Sequence, residues 1–206
     1  MEYKLKSGYI LEVIQDTNPE SPRTWCNLTK MIFFGKHKSY GDKHNIVLND
    51  YNNREDFIEH GGKTVKKLLN CVICKPVHLY SHSGETISTS FTYPYNCRWD
   101  SGTIGFVVIT KEDLRKKYNV NRITKKILVQ VEKILEGEIK ILDQYLTGDV
   151  YGYKISKVTK CDLGHEHNEE LDSCWGFYGE DECLKEAESM VEFYQKPKQL
   201  ELELVS

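Results

Sequence analysis

Four polar residues, His78, His82, Asp100 and Glu138, hold the acid–base capacity that a hydrolase or nuclease would need. Two imidazoles and two carboxylates supply general acids and bases, with Ser81 and Ser83 as neighbouring hydroxyls. The order of such groups along a chain varies freely among unrelated hydrolases, so their spacing neither demands nor forbids convergence. On an alternating strand His78 and Tyr80 share one face, and the plainer expectation for His78 is a half-buried strand residue. A second set, Cys161-x3-His165-x-His167-x6-Cys174, gathers four ligand types that suit tetrahedral zinc. Its spacing matches no standard finger, and a strand and turn with incidental His and Cys is the competing expectation. Cys71-x2-Cys74 borders apolar positions and reads as two buried free thiols. No G-x-S-x-G elbow, H-E-x-x-H helix or P-loop occurs.

Glu138 says most about its own surroundings. At about 100° per residue, Ile127, Val131, Ile134, Leu135, Ile141, Leu142 and Tyr145 form one apolar face of a long helix over 124–146, and Glu138 falls inside it. Burying an unpaired carboxylate is costly, so Glu138 needs a partner: Arg98, His78 or a backbone turn.

The surrounding elements follow from patterning. GYILEVIQ (8–15), LTKMIFF (28–34) and PVHLYSH (76–82) read as strands, the last forming a hairpin with ETISTSF through Ser83-Gly84. TIGFVVIT (103–110) is apolar on both faces, as a central strand would be. Asn53 caps a short helix ended by Gly61-Gly62, and a second short helix covers 64–72. Thr110 and Asp113 have the form of a capping box that starts a helix to about Lys117. DVYGYKISKVTK returns as a strand, CDLGHEHNEELDS is a loop, SCWGFYG a short strand or turn, and EDECLKEAESMVEFY a final helix. The tryptophans of TWCNLTK and RWDSGT each precede a strand, which predicts an indole lid over a turn fixed by Asn or Asp. Together these predict a single α+β domain over 1–196, a mostly antiparallel sheet against one long helix and shorter ones. Residues 197–206 would be a tail or an added edge strand.

Bulk properties narrow the function. With 206 residues, 39% hydrophobic and 29% charged, the chain can bury a core without staples. A net charge of −3 disfavours duplex DNA as the main partner and is too small for a DNA mimic. MEYKLKSGYILEVIQD lacks an export pattern, and no run approaches the roughly 18 apolar residues of a membrane span. Seven cysteines without an export signal predict reduced thiols in the cytoplasm.

The phrases NPESPRTWCNL, YGDKH, LYSHSGETISTS, WDSGTIGFVVITKEDLRKKY, DQYLTGDVYGY and DSCWGFYG, in this order, resemble a family of small proteins encoded by phages, plasmids and integrated mobile elements. The resemblance spans about residues 8–190. It departs at the first tryptophan, where Cys26 and Thr29-Lys30 stand in place of the family's W-D-N-L-G-T-M. It implies a context, an accessory gene acting in a bacterial cytoplasm, and carries over no residue's role. In that context the expected function is a non-enzymatic inhibitor of a host factor, of anti-CRISPR or antirestriction type. Aromatic, mixed-charge loops agree with a protein partner. A hydrolase or nuclease built from His78, His82, Asp100 and Glu138, or a small-molecule or nucleotide sponge, are the alternatives. No cofactor is required by any of them, zinc in the 161–174 segment apart.

Overall fold

A computed structural model describes residues 2–4, 8–48, 50–90, 94 and 99–195. The fold is α+β, with all strand pairing antiparallel, in two four-stranded sheets. Where the sequence predicted one domain over 1–196, the contacts group into two compact units, Ser21–Thr147 and Met1–Glu20 with Gly148–Ser206. The first is thus an insertion between two segments of the second. The 197–206 expectation lies outside the described residues.

In Ser21–Thr147 the sheet order is β3 (Lys30–Phe33), β6 (Ser101–Thr110), β4 (Cys71–Ser81), β5 (Glu85–Thr89). Interior β6 is buried on both faces, as its uniform apolarity predicts. Val107 and Ile109 join the cluster of α3 (Lys111–Tyr118) and α4 (Lys125–Thr147), centred on Leu114, Val131, Leu135 and Leu142. Phe106 and Val108 pack on the other side with Val65 and Phe57. Ile139 belongs to the buried row of α4, beside the predicted Val131, Leu135 and Leu142. The Thr110 hydroxyl accepts from the Asp113 amide at 3.0 Å, the N-cap half of the capping box the sequence predicts, and donates to the Asp113 carboxylate at 2.7 Å, so that the carboxylate meets the hydroxyl and not the Thr110 amide.

Gly61-Gly62 does not stop a helix. Backbone helicity continues from α1 (Arg54–Asp56) through a π turn (Phe57–Gly61) into α2 (Gly62–Leu68), with φ near −60° at both glycines. A Cβ on Gly62 would lie 3.1 Å from the Phe106 ring, so the pair serves close packing. β4 begins at Cys71, shortening the helix predicted over 64–72.

In the second unit the order is β1 (Glu2–Lys4), β2 (Tyr9–Gln15), β7 (Val150–Lys160), β8 (Glu166–Tyr178). α5 (Glu180–Gln195) covers one face through Cys183, Ala187 and Val191, which meet Leu11, Val13, Tyr153 and Ile155. The loop predicted for CDLGHEHNEELDS is instead largely β8. Its glutamates have poor strand propensity, but the hairpin with lysine-rich β7 overrides it: Glu166 opposes Lys160 and Glu169 opposes Lys157. Among the described residues, no helix is long and apolar enough to cross a membrane.

Candidate functional site

The open end of the β3–β6–β4–β5 sheet holds a cleft of about 270 Å³ lined by Lys36, His37, Ser81, Trp99, Asp100 and Ser101. The β4–β5 hairpin and the start of β6 position it. Ser81 donates its amide to the Asp100 carbonyl at 2.7 Å, tying the end of β4 to the turn before β6. His82 Nδ1 lies 3.1 Å from Asp100 Oδ2, and the imidazole stacks on Tyr80, with centroids 6.2 Å apart. Both members of this pair are substantially exposed. Below the cleft, a 3₁₀ turn over Gly35–Tyr40 delivers His37, whose Nδ1 is buried with no partner among the described residues. Burial pushes the His37 imidazole below its ordinary value; Glu85 opposes this and Lys36 reinforces it. A hydrogen bond to Glu85 raises the Tyr40 phenol, and burial adds to the effect. Two further open hollows, of about 540 and 640 Å³, flank Asn45–Leu48 in the same unit.

Of the four predicted acid–base residues, only His82 and Asp100 meet. His78 is fully buried on β4, more deeply than the half-buried expectation. Its Nδ1 lies 2.9 Å from the Thr103 hydroxyl and its Nε2 2.9 Å from the Ser90 carbonyl. Burial depresses its proton affinity, the Ser90 carbonyl opposes this, and Arg54 reinforces it. The carbonyl can only accept, so Nε2 carries the proton and Nδ1 takes the hydroxyl hydrogen. With both nitrogens engaged, His78 has no lone pair for a substrate.

Glu138 has the backbone turn that its burial demanded. Its carboxylate accepts from the Leu28 amide at 2.8 Å, the Thr29 amide at 3.1 Å and the Thr29 hydroxyl. Arg23 Nη1 stands 3.5 Å away, and the two side chains are 7% and 13% exposed. Arg23 Nη2 donates to Asp42 at 2.6 Å and to the Thr29 carbonyl at 2.8 Å. Arg98 lies outside the described residues. Arg23 and Asp42, unremarked in the sequence, complete this network. They lie 19 residues apart, in loops whose composition resembles ordinary solvated surface.

The tryptophan turns divide. Asn27 does fold back, donating to the Pro22 carbonyl at 2.8 Å and the Trp25 carbonyl at 3.0 Å. The indole lid is overturned at Trp99, which is 93% exposed; Trp25 is 41% exposed. Asp100 reaches His82.

The zinc expectation also fails on geometry. Cys161 and His165 close the β7–β8 turn, with the Cys161 amide 3.0 Å from the His165 carbonyl, while Cys174 opposes Tyr153 far along β8. His167 and Cys174 are seven strand residues apart, about 23 Å. Among the described residues, no three His, Cys, Asp or Glu side chains gather as a metal site. Cys71 is a buried free thiol and Cys74 a half-buried one, pushed up by burial to about 11 and about 12, so neither is a nucleophile at neutral pH.

Comparison with protein-family models, with curated proteins and with solved structures gives no match.

Proposed function

We propose that the protein is a non-enzymatic binding protein, the product of a mobile-element accessory gene that occupies a host factor such as a CRISPR or restriction defence system. The observation that carries the binding reading is Trp99, 93% exposed at the rim of the cleft. A solvated indole contributes almost nothing to folding, whereas tryptophan is the residue type most enriched among interface hot spots. Two of the four candidate catalytic residues, His78 and Glu138, are already engaged, His78 with Thr103 and Ser90 and Glu138 with the turn that leads into β3. The mobile-element context rests on the motif resemblance alone.

The test is affinity purification of the tagged protein from a bacterial host, with mass spectrometry of bound proteins, metals and metabolites. The expected result is one protein partner recovered with the wild type and lost with Trp99→Ala. Recovery of the protein by itself from the host of the parent element would refute the reading.

A second reading, hydrolysis, is favoured by one observation: the exposed His82–Asp100 pair beside a cleft that also holds Ser81 and Ser101. Turnover of ester or phosphodiester substrates that disappears in His82→Ala and in Asp100→Asn would establish it. An inactive wild type removes it.

A further inference from the structure

We propose that the outer edge of β8 is a docking strand that pairs with an extended, cationic segment of a partner protein; this deepens the binding reading above and rests on it. β8 is the last strand of its sheet and runs 13 residues, about 43 Å. Among the described residues it pairs with β7 along one edge and meets α5 on one face, and no backbone group is seen to pair with its other edge over Glu166–Phe177. A row of unpaired N–H and C=O groups is a template for an added strand.

The same chain closes such edges elsewhere. On β3, Asp42 takes the Met31 amide at 2.6 Å and returns its own amide to the Met31 carbonyl at 2.8 Å. His44 reaches the Phe33 carbonyl at 2.7 Å. On β5, Asp143 takes the Ile87 amide at 2.7 Å. Along β8 the side-chain contacts to the backbone are weaker: the Tyr194 hydroxyl lies 3.4 Å from the Leu171 carbonyl, and the Thr159 hydroxyl of β7, on the paired side, 3.3 Å from the His167 carbonyl.

The side chains choose the occupant. Glu166, Glu169, Glu170 and Asp172 lie within seven residues of this edge. Glu166 and Glu170 face Lys160 and Lys154 of β7 only loosely, at 3.4 and 3.8 Å. A second copy of β8 paired antiparallel over this stretch would set carboxylates against carboxylates, which destabilises a ladder. Lysine or arginine at alternate positions would meet them favourably. Trp175 adds an apolar anchor at the other end. Its indole lies where a Gly152 side chain would be, a Cβ there falling 2.3 Å from the ring. Tyr151 and Tyr153, on either side of Gly152, pack toward α5, so Trp175 occupies the opposite face and is 44% exposed there.

The probe is a capped nine-residue peptide of alternating lysine and valine, with a glutamate–valine peptide as its counterpart. Hydrogen exchange of the whole protein is followed by mass spectrometry. The lysine peptide is expected to slow exchange across 166–178, with affinity falling about tenfold in a Glu169→Lys/Glu170→Lys double variant and also at high salt. Both positions are exposed, so a cooperative melt with a Tm only slightly lowered by the charge now opposite Lys157 confirms that the variant is folded. Protection elsewhere, equal binding of both peptides, indifference to charge reversal, or a free protein that sediments as a dimer with β8 already protected would each overturn the docking strand. The two readings fail separately. A captured partner whose cross-links avoid 166–178 refutes the edge alone, whereas a protected edge with no partner captured refutes the host-factor reading alone.

Discussion

In the sheet of β3, β6, β4 and β5, both outer strands are closed by charged side chains of the same unit; in the sheet of β1, β2, β7 and β8, no charged side chain is seen to close the outer edge of β8 over Glu166–Phe177 among the described residues. The difference is one of chemistry as well as geometry. Side-chain carboxylates that cap amides are half-buried and committed, and removing one leaves its donors unsatisfied. The carboxylates on β8 are solvated and contribute little to stability, yet they decide which strand is able to add beside it. Within one chain, acidic residues hold one sheet shut and select a partner for the other.

The comparison breaks first at Glu138. Glu138→Ala removes the acceptor for two amides and a hydroxyl and leaves the Arg23 guanidinium with Asp42 as its remaining anion. A loss of about 3–5 kcal/mol is expected, read by urea denaturation. Glu138→Gln keeps an acceptor but not the charge and falls between the two. A change below about 1 kcal/mol in the alanine variant would show that the carboxylate does not hold β3. Asp143→Ala is next, at about 1–3 kcal/mol, because it frees the Ile87 amide and the Thr86 hydroxyl. It should also bring concentration-dependent association, detected by light scattering, as the β5 edge opens.

Glu138 also shows what was legible in the sequence. A carboxylate inside an apolar helical face requires a partner, and a backbone turn was among the expectations. Which turn was not readable, because Leu28 and Thr29 lie more than 100 residues away. The same limit hid the two units: β2 pairs with β7 across the whole of Ser21–Thr147, and no local pattern reports a partner at that distance. Short-range features were plain, among them the Thr110 N-cap, the β4–β5 hairpin and the uniformly apolar β6. The β8 segment reads as a loop for a physical reason, since glutamate-rich segments favour loops until an opposing lysine-rich strand reverses the balance. At the cleft, the residue types mark out His82 and Asp100, but their pairing depends on the turn that ties Ser81 to Asp100. His37 lacked any signal, standing in a lysine-rich loop that reads as solvated.

A subtler test uses pH. His78 is buried with its proton affinity depressed, so the unfolded chain takes up a proton before the native one does. The stability this contributes is present above the ordinary histidine value of about 6.5 and is lost as pH falls through the lower native value. The urea midpoint of the wild type should therefore drop between about pH 7 and pH 5, and His78→Gln should flatten the slope. His37 is depressed in the same direction, so His37→Gln is the necessary companion. An unchanged slope in both variants would mean that these imidazoles are not held neutral by the β3–β6–β4–β5 unit.

The smallest effect on stability belongs to β8, and its smallness is the point. Glu169 and Glu170 are exposed, and reversing both to lysine sets a like charge opposite Lys157 across the ladder, a solvated repulsion that should cost no more than about 1 kcal/mol. Glu169 has no ion-pair partner among the described residues, and Glu170 has a 3.8 Å approach to Lys154 and an exposed hydrogen bond from the Ser173 hydroxyl at 3.2 Å. A destabilisation as large as that of Glu138→Ala would mean that these carboxylates hold the hairpin together as their counterparts hold β3, and the contrast between the sheets would collapse. An effect that small joined to loss of the cationic peptide would place their role in recognition.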